Sequence, residues 1–208
     1  MMPAVLREPW MDIERQREAA TFAMWLFIAT EILFFGGVFT AYGVYRTLHS
    51  AEFLAGARET TIAYGAVNTA VLLTSSFFMA IGAKAARAGM AAVAGNSFLM
   101  TAGLGVLFLI VKGFEYRDDI ARHLVPDPSF ALQGDGAEIF WTFYWVTTLI
   151  HALHLLIGIG AVLRLYTRRH SETWLKESAA PEVTGLYWHF VDIVWIFLFP
   201  LLYLAGRT

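Results

Sequence analysis

Five long stretches of this 208-residue chain lack the polar interruptions that a soluble helix or strand would show. They are Thr21–Tyr45, Thr60–Ala83, Ala88–Val111, Ile139–Leu163 and Val183–Gly206, each 24 or 25 residues long. A helix rises 1.5 Å per residue, so any of them can cross a hydrocarbon layer about 30 Å thick with some tilt. None alternates with period two. An unpaired backbone amide has no partner in lipid, so each stretch is expected to be an α-helix. The pattern predicts an all-α polytopic membrane protein, a bundle of five transmembrane helices forming a single domain over residues 1–208.

Composition supports that reading: 58% of residues are hydrophobic, 15% are charged, and Phe, Trp and Tyr are abundant. Cysteine is absent, which removes disulfides, thiolate metal sites and thiol catalysis. The net charge of −2 gives no reason to expect nucleic acid as a partner. The mixed-charge segment "REPWMDIERQRE" before the first stretch does not look like a cleavable signal, and the apolar run after it is too long for one. That run is expected to remain as a membrane helix.

Five spans place the two termini on opposite sides. The N-terminal side carries Arg7, Arg15, Arg17, Lys84, Arg87, Arg164, Arg168, Arg169 and Lys176. The other side carries Arg46, Arg58, Lys112, Arg117, Arg122 and Arg207. Nine against six predicts a cytoplasmic N-terminus and a periplasmic C-terminus. The short "KAARAG" turn makes the second and third spans antiparallel neighbours. The longest link, from Arg117 to Gly136, holds the Pro and Gly that interrupt a helix, and serves as a connector or as a contact for a partner.

Ionisable side chains at membrane depth are costly, so each one raises a functional question. Glu31 lies ten residues into the first stretch, about 15 Å along its axis, and is the one charge between Thr21 and Tyr45. A lone carboxyl there is expected to keep its proton. It serves either proton exchange or hydrogen bonding to another helix. The second span carries Asn68, Thr69, Thr74, Ser75 and Ser76. Near the end of the third, Lys112 and Glu115 sit where a lysine is expected to snorkel to the interface and anchor the helix. Tyr45, Tyr116, Trp141 and Tyr203 fit an interfacial aromatic belt.

His151 and His154 share a helix face, but two histidines are too few for most metal sites, and no E-x-x-H occurs. A bis-His haem would need a histidine on a facing helix, and His189 alone could oppose this pair. The plainer reading is two rings hydrogen-bonded to helix neighbours. His189 and Asp192 also share a face, flanked by Trp188 and Trp195, either as a proton relay or as a structural pair locking the fifth helix. No P-loop, nucleophile elbow, dinucleotide fingerprint or metalloprotease motif is present. These residues leave open a non-catalytic subunit, a small transporter using Glu31, or a b-type cytochrome. Five unrepeated spans argue against the transporter.

Several blocks resemble subunit III of the haem-copper respiratory oxidases. "LFIATEILFFGGVF" is similar to the family's glutamate-bearing helix, "NTAVLLTSSFFMA" to the next, and "KGFEYRD" to the end of the third. "FYWVTTLIHALHLLIGIGAVL" matches the H-x-x-H-x-x-x-G helix through His151, His154 and Gly158. "YWHFVDIVWIFLF" resembles the last helix. The resemblance spans all five stretches and is closest to the five-helix bacterial form. The long mitochondrial form has two further helices that help to build its lipid cleft, so lipid sites that need them do not carry over.

The resemblance implies a subunit of a proton-pumping cytochrome c oxidase, in the bacterial inner membrane, with no redox cofactor and no active site of its own. Haem and copper would sit in partner subunits. It implies direct packing on subunit I, proximity to subunit II and further small subunits, bound phospholipid, and protection of the enzyme during turnover. Glu31 falls on the family's buried carboxyl and would support proton uptake. Asn68, Glu115, His151, His154, His189 and Asp192 remain as structural, intersubunit or lipid-facing candidates. A quinol oxidase subunit or a relative accompanying nitric oxide reductases is the alternative within the family. Glutamate at position 31, where the quinol form tends to carry aspartate, leans toward cytochrome c.

Overall fold

The structure is a computed structural model that describes residues 12–207, without the side chains of Glu172 and Thr173. Arg7, counted above in the charge bias, lies outside the described residues. Seven α-helices follow in order: α1 Ile13–Leu48, α2 Ser50–Arg58, α3 Ile62–Arg87, α4 Ala91–Ala121, α5 Asp135–Thr167, α6 Glu172–Glu177 and α7 Ala180–Phe199. A π-helical turn, Pro200–Leu204, continues α7. Helices α1, α3, α4, α5 and α7 with its π turn are long and apolar enough to cross a membrane.

The spans outrun the apolar windows at most of their ends, because helix persists where polar residues can reach water. α1 starts eight residues before the window, capped by Asp12, whose carboxylate accepts from the Arg15 amide at 2.7 Å. α4 runs on to Ala121, through ten residues of polar sequence that hydropathy places outside. Two helices escaped the reading. α2 and α6 are too short and too mixed in polarity to stand out, and both fold back onto the ends of the bundle.

α3 and α4 form a tight antiparallel hairpin. Gly89 takes φ +75°, and the Met90 amide returns to the Ala85 carbonyl at 2.9 Å, closing α3 with a left-handed cap. Small residues bring the two backbones together. At Gly82 an added Cβ would meet the Phe98 ring at 2.7 Å.

α7 is the most buried span and α1 the least. The Trp188 ring, fully buried, slots against Gly105 of α4 and Gly158 of α5, where an added Cβ would lie 2.8 and 3.1 Å from it. Trp188 donates through Nε1 to Ser75 at 3.1 Å, and Trp195 donates to Thr69 at 3.0 Å, so two indoles tie α7 to α3. α1 lies across α5 and α7 with most of its surface outward. Leu33 is 77% exposed and Phe22 65%, a face that suits lipid or another protein.

The expected belt is only partly present. Tyr45 faces out, but Trp141 and Tyr203 are fully buried, and Tyr116 is half-buried, stacked on Trp145 at 4.5 Å between centroids. These rings fill the bundle interior near one end.

Gly105→Ala would push a methyl into Trp188 and Ile159. It is expected to destabilise the bundle by about 1–3 kcal/mol in thermal unfolding in detergent. An unchanged transition would show that the Trp188 slot is looser than its geometry implies.

Candidate functional site

Glu31 has a partner. Its Oε2 lies 3.2 Å from His154 Nε2, with both side chains partly exposed where α1 meets α5. The other ring nitrogen, Nδ1, is 2.9 Å from the Ile150 carbonyl oxygen one turn back. A carbonyl oxygen can only accept, so Nδ1 carries a hydrogen. Nε2 and Oε2 then share a single proton, held as acid and imidazole or as carboxylate and imidazolium. The pair is a one-proton site inside the span, and Phe35, edge-on to His154 at 5.6 Å, covers it.

His151 turns the other way. It is 1% exposed, packed against Phe108 at 5.5 Å and Trp195 at 5.2 Å, with no hydrogen-bond partner on either nitrogen. The two histidines on one helix face thus do different work, and only His154 has the hydrogen-bonded environment expected of both.

Lys112 does not snorkel. It is 2% exposed, and its three donors are spent on Glu115 Oε2 at 2.9 Å, Tyr144 OH at 2.9 Å and Tyr203 OH at 2.7 Å. The Tyr144 hydroxyl donates in turn to Asp119 at 2.8 Å, and Asp119 accepts from Arg122 at 2.7 Å. The chain of polar groups runs from the half-exposed Arg122 into the bundle. The Tyr144 and Tyr116 rings lie 4.4 and 4.9 Å from the ammonium. The charge stays inside because three helices supply its donors' partners, which an isolated helix at an interface could not. Glu115 keeps one oxygen, Oε1, without a partner.

His189 and Asp192 do not bond to each other. Ser76 of α3 stands between them, with its Oγ 2.6 Å from His189 Nδ1 and next to the Asp192 carboxyl. Asp192 is 3% exposed, and neither of its oxygens closes a hydrogen bond. Asn68 is wholly buried, and its amide is likewise unpaired.

Sequence reasoning missed Asp119, Tyr144 and Tyr42. The Tyr42 hydroxyl donates to the Leu201 carbonyl across α1 and α7 at 2.5 Å. A carboxylate one helical turn after Glu115 was a signal that the polar run continues inward. Tyr144 and Tyr42 read as ordinary aromatics.

Two clefts that share lining residues adjoin α1. An apolar groove of about 370 Å³ runs between α1 and α7, lined by Ile28, Phe35, Phe39, Ile193 and Phe197 among others. It shares Trp25, Leu186 and His189 with a charged recess of about 1050 Å³ between α1, α3 and α7. Among the described residues, no group of three or more His, Asp or Glu is placed to hold a metal ion.

The chain matches the family model described as cytochrome c oxidase subunit III over residues 14–207. It is 33% identical over 186 residues to cytochrome c oxidase subunit 3 of Synechocystis, covering 88% of this chain and 74% of that protein. It is 31% identical over 181 residues to the subunit 3 of Corynebacterium diphtheriae, covering 86% and 84%. It is also 31% identical over 190 residues to the heme-copper oxidase subunit I+III of Aeropyrum pernix, of which it spans 22%.

Removing one partner of a buried ion pair strands the other. Lys112→Met is expected to cost about 3–5 kcal/mol of unfolding stability. Adding Glu115→Gln to it should cost less than the sum of the two single changes, as unfolding of the four forms would show. Strict additivity would mean that the two side chains do not stabilise one another.

Proposed function

The chain belongs to the cytochrome c oxidase subunit III family, and from that premise we propose that it is the non-redox subunit III of a proton-pumping haem-copper terminal oxidase. It packs on subunit I, lies near subunit II, and has no active site of its own. Haem and copper reside in the partners. The membrane is the bacterial inner membrane, with the N-terminus in the cytoplasm. Cytochrome c is the favoured electron donor, with Glu31 in the place where the quinol form tends to carry aspartate.

The observation that carries the reading is the Glu31–His154 pair. A carboxyl that shares one proton with an imidazole, at the middle of the most outward span, can pass that proton to a neighbour as another replaces it, so that the pair stays neutral in hydrocarbon. The apolar flank of α1 gives a partner subunit room to cover the pair. That a relative carries subunits I and III in one chain supports direct contact with subunit I. A phospholipid fits the clefts beside α1, with an acyl chain in the apolar groove and its headgroup in the charged recess.

In the assembled oxidase, Glu31→Ala is expected to slow sustained turnover roughly fivefold, an effect on the order of 1 kcal/mol. Haem content should not change. His154→Phe should give a similar loss, and the double change no more than either alone, because one proton site is lost in each case. Unchanged turnover in both variants across the neutral pH range would reduce the pair to packing.

A further inference from the structure

The charged recess is lined on its inner side by His189 of α7. Its walls carry Glu14, Arg17 and Glu18 from the start of α1, Lys84 and Arg87 from the end of α3, and Glu182 from the start of α7. Arg87 and Arg17 are engaged with Glu182 at 2.5 and 3.2 Å. Such a wall suits water or polar headgroups, and His189 lines both it and the apolar groove. Behind His189 comes Ser76 at 2.6 Å, and beside Ser76 the carboxyl of Asp192.

A carboxylate in that position is expensive. Among the described residues no cation pairs with it; on α3 the Ser75 and Thr69 hydroxyls donate back to the Leu72 and Gly65 carbonyls, and Ser76 Oγ is bonded to His189 Nδ1. A carboxylic acid there costs less, and the Ser76 hydroxyl, bonded to His189 and lying next to Asp192, can serve either by turning about its Cα–Cβ bond.

We propose that His189, Ser76 and Asp192 form a proton relay that moves one proton at a time between the charged recess and the carboxyl of Asp192 inside the bundle. The imidazole takes a proton at Nε2 from the recess and passes its Nδ1 proton to Ser76 Oγ, and Ser76 passes its own hydrogen to the carboxylate. One proton has then entered, the ring is neutral, and Ser76 is again a hydroxyl. The reverse order releases it. Asp192 is the store, Ser76 the rotor and His189 the gate. The relay uses neither Glu31 nor His154 and does not depend on their role, so each can fail without the other.

The test is infrared spectroscopy of the purified complex containing the full chain. Subtracting the Asp192→Asn spectrum from that of the natural protein isolates the carbonyl stretch of the Asp192 acid, which shifts as deuterium replaces its proton. After transfer to heavy water, the shift is expected to be slowed at least about tenfold by Ser76→Ala and restored by Ser76→Thr. His189→Gln, at the recess edge, should slow it likewise and stands in if Ser76→Ala fails to assemble. Absence of an acid band attributable to Asp192, or exchange at the natural rate in both Ser76→Ala and His189→Gln, overturns the relay.

Discussion

Hydrocarbon offers no hydrogen-bond partner, and this fold is organised by that one constraint. The backbone meets it with five spanning helices. His151, Asn68 and Asp192 stay buried without a hydrogen-bond partner, but several other polar side chains meet the constraint by pointing at one another across helices. Lys112 is the extreme case. Its ammonium is satisfied only because α4, α5 and the π turn after α7 each deliver an oxygen within 2.9 Å. Take any of the three elements away and a charge is left in apolar surroundings, so the cluster fixes where those helices sit. The indoles of Trp188 and Trp195 extend the same logic to α3, each finding a hydroxyl rather than water.

α7 is therefore the hub, and one glycine of α4 and one of α5 let it in. Gly105 and Gly158 give the Trp188 ring a slot that no side chain could share. α1 stands apart from this scheme. It is joined to the rest through the Tyr42 hydroxyl, the Glu31–His154 pair, the Arg17–Glu182 ion pair and ring contacts such as Phe35 on Phe190 at 6.2 Å, and it leaves most of its surface uncovered. The most buried span of the molecule is thus turned inward, and the span with the Glu31–His154 pair is turned toward whatever covers it. That division fits the role proposed for a subunit that supports a catalytic neighbour.

The five spans were legible because hydropathy over two dozen residues is a strong, local signal, as was the α3–α4 turn in "KAARAG". The partners of the polar residues were not. Glu31 and His154 are 123 positions apart, and Lys112 and Tyr203 are 91. Nothing in either neighbourhood announces the other. Lys112 was misplaced for a physical reason: a lysine near the end of an apolar window looks the same whether it reaches outward to water or inward to three oxygens. Trp141 and Tyr203 misled in the same way, since an aromatic at a span end can sit at the interface or fill the core. His189 and Asp192 were rightly put on one face, but the serine that separates them belongs to another helix. The resemblance to subunit III was readable from the quoted blocks, and the family match over residues 14–207 agrees with it.

The central claim is that this chain works as one subunit of a haem-copper oxidase, and the most direct measurement is purification from its native membrane in mild detergent, with an optical spectrum and mass spectrometry of whatever stays bound. The account predicts haem absorbance co-eluting with the chain, together with a large many-helix subunit and a copper-binding one. A colourless chain that elutes by itself under conditions that leave other membrane complexes intact would contradict it, and would turn attention to Glu31 as the proton carrier of an independent transporter.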